Sequence, residues 1–165
     1  MADTVTYTPI ATNTLSSTAS SVTFSSIPGT YKDLVLVSFP KRTTQADAAI
    51  YAYPNSDTTG NLASHTGLYG DGTNASSNRR SNSNGVRVGV IGTGEAGTQI
   101  AQFMNYANTN VFKTVLSREN RAEEYAFANV SLWRSTTAIT SLLIQVSDAS
   151  NFASGSTFTL YGIGA

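Results

Sequence analysis

His65 is the only histidine in the chain, and there is no cysteine. Thiolate metal sites, thiol nucleophiles and disulfides are therefore excluded. A histidine acting as a general base needs an orienting carboxylate and a nucleophile within reach. The stretch Ala63-Ser64-His65-Thr66-Gly67 supplies no carboxylate, so the plain reading is a surface or loop histidine. The adjacent pair Glu123-Glu124 would point to opposite faces of a strand, which suits neither a glycosidase pair nor a metal cage. Asp47, Asp57 and Asp71 are the carboxylates that a loop-built calcium site would draw on. Gly92-Thr93-Gly94-Glu95-Ala96-Gly97 matches the Gly-x-Gly-x-x-Gly pattern after a strand. A dinucleotide site also needs a following helix N-terminus and a second parallel strand. Residues 98–105 would give at most a short helix, so a flexible or assembly loop is the better reading. No catalytic residue, cofactor or metal is assigned, and the chain is read as a non-enzyme.

Two groups suit binding better than chemistry. Arg79, Arg80 and Arg87 form the densest basic cluster and could reach carboxylates of a neighbouring subunit through bidentate pairs. Val5 and Tyr7 lie in a polar N-terminal segment, residues 1–14, that could order on assembly. These five residues are the candidate assembly contacts. Tyr51, Tyr53, Tyr69 and Trp133 could instead line a groove in which sugars stack, although packing in the core and at subunit interfaces is the better reading of aromatics of this kind.

The elements that must hold these residues are strands. Val5 to Ile10 opens the series, with Pro9 suited to an edge. Val22-Thr23-Phe24 alternates, and Pro28-Gly29 marks a turn. Leu34-Val35-Leu36-Val37 reads as a central strand buried on both faces. Further strands are expected over 49–53, 86–91, 100–106, 111–116, 125–133 and 139–146. Asn61 to Ser64 is the one helical candidate. Residues 72–85 and 92–98 read as long loops. In the last stretch, Phe158 and Leu160 alternate with Thr157 and Thr159 after Gly155-Ser156, a strand that ties the terminus into a sheet and suggests a module complete at Ala165. About eight or nine strands without a long 3.6-period stretch predict one all-β domain over 1–165, a sandwich or barrel.

Composition narrows the role. Ten basic and ten acidic residues balance, and only 12% of residues are charged, against about 25% in an ordinary soluble domain. A neutral chain lacks the concentrated basic face of a duplex binder. No apolar run approaches the ~20 residues of a membrane helix. The start Met1-Ala2-Asp3-Thr4 does not read as a secretion signal. Synthesis in the cytosol is expected, with weak colloidal repulsion favouring a fixed assembly.

Two segments carry a resemblance: residues 15–37, with Val22-Thr23-Phe24 and Ile27-Pro28-Gly29 running into Leu34-Val35-Leu36-Val37, and residues 132–163, from Leu132-Trp133 to Phe158-Thr159-Leu160-Tyr161. Together they resemble a group of small tailed-phage virion proteins, of the kind found in phages of cyanobacteria and marine bacteria. The ends match closely and the middle, about 40 to 125, only in style. The resemblance implies a jelly-roll-like β-sandwich, often trimeric, that is a structural part of the particle. The leading expectation is a capsid decoration (cement) protein, made in the host cytoplasm, that bridges capsomers by contact with the major capsid protein and binds neither nucleic acid nor membrane. The alternative is a tail or fibre module that binds a surface glycan.

Overall fold

The computed structural model describes residues 6–42, 47–92, 97–121 and 124–164. Within them the protein is all-β, with twelve strands and no helix. In chain order they are β1 (Tyr7–Thr14), β2 (Ser21–Phe24), β3 (Asp33–Phe39), β4 (Ala48–Pro54), β5 (Ala63–Gly70), β6 (Ala75–Ser83), β7 (Val86–Ile91), β8 (Thr98–Phe103), β9 (Lys113–Arg121), β10 (Tyr125–Trp133), β11 (Leu142–Val146) and β12 (Thr157–Ile163). An eight-stranded sheet runs β1-β12-β3-β8-β9-β10-β5-β6, and a four-stranded sheet runs β2-β11-β4-β7. Every pairing is antiparallel. The two sheets pack face to face as a jelly-roll-like sandwich.

Period-two patterning builds the core. β12 buries Phe158 and Leu160 and turns its threonines outward; β11 buries Leu142, Ile144 and Val146. β3 lies between β12 and β8, with Leu36 opposite Leu160 on one side and Ala101 on the other. Its expected central position is what the sheet shows. Phe24, Ile50, Phe103, Trp133 and Phe158 belong to the same buried cluster. Each large side chain there gains ~1.5–3 kcal/mol over remaining exposed. Gly155, at φ +81°, makes the turn into β12, a conformation that a Cβ would penalise.

Three expectations are corrected. Residues 75–83 are strand β6, paired with β5 from Gly70↔Ala75 to Ala63↔Ser83, and not a loop. All but its last residue are exposed, so the strand carries no buried face for periodicity to reveal. The helical candidate at 61–64 instead enters strand β5, because Ala63 pairs across to Trp133. The first strand, expected over residues 5–10, runs Tyr7–Thr14 as the edge strand β1 on β12, with a register shift after Pro9. A missing N–H is tolerated at such an edge.

Candidate functional site

The inner face of the large sheet changes character across its width. Read through the register, one row runs Gln99, Glu119, Phe127, Tyr69. The next runs Ala101, Ser117, Asn129, Gly67, and a third runs Phe103, Val115, Ser131, His65. At β8 the second and third rows are apolar, with Ala101 and Phe103, while Gln99 in the first is polar; across β9, β10 and β5 each row carries polar side chains, Glu119, Ser117 with Asn129, and Ser131 with His65. β7, the edge of the small sheet, lies against this polar half, and β5, β9 and β10 all approach it. Its residues Val86 to Gly89 are all buried.

Arg87 on β7 is the hub. Its Nε donates to Glu119 Oε1 at 3.3 Å, and its Nη2 lies 3.2 Å from the same oxygen. Asn129 Nδ2 donates to that oxygen at 2.8 Å. Glu119 Oε2 is buried with no hydrogen-bond partner among the described residues. Burial raises the Glu119 carboxyl above its ordinary range, and the charge of Arg87 opposes that rise. The Arg87 guanidinium sits 4.2 Å from the centre of the Phe127 ring, a cation–π contact. The hydroxyls of Ser117 and Ser131 donate to the Arg87 carbonyl. Phe127 and Tyr69, cross-strand partners, hold their rings 5.8 Å apart and 12° from parallel. Gly67 makes this possible: a Cβ there would overlap Asn129 Oδ1 and the Phe127 ring.

At one end of the cluster an open cleft of ≈ 360 Å³ is lined by Asp47, Tyr69, Asn78, Arg87, Tyr125 and Phe127, with Val90. Asp47 is paired with Arg121 at 3.2 Å, and Arg121 also reaches Glu124 at 2.5 Å. Both of the first pair close over Gly92, where a Cβ would overlap them. Burial, then the charges of Asp47 and Glu119, push the Tyr125 hydroxyl up to about 12.

The sequence-derived candidates scatter. Val5 lies outside the described residues, while Tyr7 is exposed on β1, edge-on to Tyr161. Arg79 and Arg80 are exposed on β6, where alternation sends them to opposite faces: Arg79 stands opposite Thr66 and Arg80 opposite His65. Arg87 is no contact arm: it is buried, and its carboxylate partner is in its own chain. Trp133 is 3% exposed and Tyr51 8%, so both lose the open ring face that sugar stacking needs, and the Trp133 ring is core. Tyr53 and Tyr69 are half-buried, and Tyr69 alone of the four lines the cleft. His65 is neither in a loop nor at the surface. It lies buried in β5, its Nδ1 without a hydrogen-bond partner among the described residues and its ring 6.3 Å from that of Tyr51.

The remaining motifs resolve as structure. Thr98 opens strand β8, antiparallel to both neighbours, so no helix N-terminus follows the glycine pattern. Residues 93–96 lie outside the described residues, as does Glu123; Glu124 sits in the turn after β9. Asp71 accepts the Thr73 and Asn74 N–H groups in a turn, and Asp57 accepts from Thr59. With Asp47 paired to Arg121, the three carboxylates serve separate local contacts. Among the described residues no group of three or more His, Asp or Glu could hold a metal ion. Glu119, Asn129 and Phe127 were not singled out from sequence. The parity of Val115, Ser117 and Glu119 would have placed Glu119 inside, had the strand been followed beyond Leu116.

No family model matches the chain, and no curated protein matches it. Among solved structures, it is similar to the galectin LEC-6 of Caenorhabditis elegans, at 11% identity and a TM-score of 0.36, over 93% of this chain and 96% of that one. It is also similar to a mutant of the alginate lyase Aly36B in complex with an alginate trisaccharide, at 8% identity and a TM-score of 0.34, over 92% of this chain and 80% of that one.

Proposed function

We propose that the protein is a structural component of a tailed-phage virion, a capsid decoration protein that works through the outer face of its eight-stranded sheet. The observation that carries this reading is an apolar group on a surface that none of the described residues covers. Leu68 is 64% exposed, Leu116 and Val130 45% each, and Ile100 37%. Val130 and Leu116 are direct cross-strand neighbours, and Ile100 and Leu68 occupy the next row through Arg118 and Ala128. Contiguous exposed apolar side chains of this kind mark interaction surfaces.

The partner is the major capsid protein rather than the same face of a second copy. Arg118 stands within the apolar group, between Ile100 and Ala128, and Arg79 stands at its edge beyond Thr66. Among the described residues, the one carboxylate at a strand position of that face is Asp33, which is buried and already accepts from Asn105 N–H and Gln102 Nε2. Two such faces would oppose arginine to arginine, whereas a partner carrying carboxylates beside an apolar strip complements it. Association into a trimer then uses other surfaces, with Tyr7 at the exposed edge as a contact, and repetition across the shell replaces strong single-site affinity by avidity.

A double variant, Leu116→Asp with Val130→Asp, tests this. Both side chains face solvent in the free protein, so the variant should still fold, with a melting temperature lowered modestly because the two new carboxylates stand directly opposite each other and repel. Its co-sedimentation with purified heads should fall by at least about tenfold, the equivalent of ~1.4 kcal/mol. Unchanged co-sedimentation would overturn the assignment of this face.

A further inference from the structure

We propose that the cleft beside β7 is a binding site for a neutral saccharide, with Tyr69 as its stacking platform. The site is separate from the outer sheet face and does not depend on the assembly reading. Its walls are strands β5, β6, β7 and β10, which are paired along their lengths, so the groups that line it are held in place before any ligand arrives. Its volume, ≈ 360 Å³, is within the range of small-molecule sites.

The chemistry of the lining selects the ligand class. The charged groups around the cleft are already matched: Arg87 with Glu119, and Arg121 with Asp47 and Glu124. An anion would compete with Glu119 for Arg87, and a cation would compete with Arg121 for Asp47. A neutral ligand displaces neither. The Arg87 guanidinium lies over Phe127, which leaves the neighbouring ring of Tyr69, half-buried and near-parallel to Phe127, as the ring for an apolar ligand face. Around it stand the Asn78 amide, a donor and an acceptor on the exposed strand β6, and the Asp47 carboxylate. An apolar face ringed by a donor and acceptors, whose one carboxylate, Asp47, is already paired with Arg121, fits a pyranose: its C–H face stacks and its hydroxyls, each both donor and acceptor, reach the rim. A nucleotide fits poorly, because the cation that lines the cleft, Arg87, is already engaged by Glu119.

The test uses the whole chain and amide chemical-shift mapping. The probes are cellotriose, maltotriose and chitotriose as neutral ligands, a galacturonate trisaccharide as the charged arm and adenosine as the stacking control. At least one neutral trisaccharide should shift the amides of Tyr69, Asn78 and Phe127. The charged trisaccharide and adenosine should bind at least about tenfold more weakly, and Tyr69→Ala should weaken the neutral sugar by at least about tenfold. Asn78→Ala, on an exposed strand, supplies a second variant with the same expectation should Tyr69→Ala fail to fold. The Leu116→Asp, Val130→Asp protein should bind sugar as wild type does, which separates this site from the assembly face. No shift with any of the three neutral sugars, undiminished binding by the folded variants, or equal binding of the charged trisaccharide or adenosine would overturn the proposal.

Discussion

Lys113 shows how far a single residue can depart from the exposure usual for its type. It is fully buried at the start of β9, and its Nζ donates to the carbonyls of Asn108, Val111 and Thr136 at 2.5, 2.9 and 3.1 Å. Burial lowers its ammonium pKa. The side chain fastens the 104–112 turn to the segment after β10. Lys113→Met keeps the bulk and removes the donors, so it should cost at least about 2 kcal/mol in denaturant unfolding, because hydrogen bonds to a charged group are worth ~1.5–3 kcal/mol each. A loss under about 0.5 kcal/mol would contradict the role. His65 has a pH signature instead. Burial, with repulsion from Arg87 and Arg80, lowers its pKa from 6.5 to about 4. Between those values the folded state holds fewer protons than the unfolded chain, so the contribution to stability is present above 6.5 and is lost as pH falls through 4. His65→Asn should flatten that part of the stability curve relative to wild type; an unchanged slope would show that the imidazole titrates freely. Neither role was legible locally. Nothing in Ala63-Ser64-His65-Thr66-Gly67 signals burial, because the covering groups come from β7 and β4.

At the scale of elements, legibility followed the presence of a buried face. β7 and β12 alternate larger apolar with polar or small residues, and their sequence boundaries, like those of β10, agree with the observed strands to within a residue or two. β6 is the counterexample. Ala-Ser-Ser-Asn-Arg-Arg-Ser-Asn-Ser has no apolar stripe, and its strand state comes from hydrogen bonding to β5, a tertiary property. The cleft was illegible for a related reason. Tyr69 and Phe127 are 58 positions apart in sequence and meet only through strand register, while Arg87 arrives from the other sheet. β3 gives the sharpest test at this scale. Leu36 is buried between Leu160 and Ala101 in the middle of the large sheet. Leu36→Ala should cost ~2–5 kcal/mol, a transfer loss plus a cavity that neighbouring strands cannot close. A cost below about 0.5 kcal/mol would mean the strand is misplaced.

For the molecule as a whole, the division of labour is between faces. The core and the inter-sheet polar cluster account for the buried side chains. The low charge, noticed from composition, places few ions on the outer face of the large sheet, where Leu68, Ile100, Leu116 and Val130 stay exposed. That surface could not be read from sequence, because each of the four residues sits singly on its own strand and only the register gathers them. The most direct measurement is a cryo-electron microscopy map of intact particles at a resolution that traces strands. The expected result is this sandwich on the outside of the head, its Leu116–Val130 face seated on the major capsid protein. Density for the chain in the tail, or its absence from the head, would contradict the decoration role.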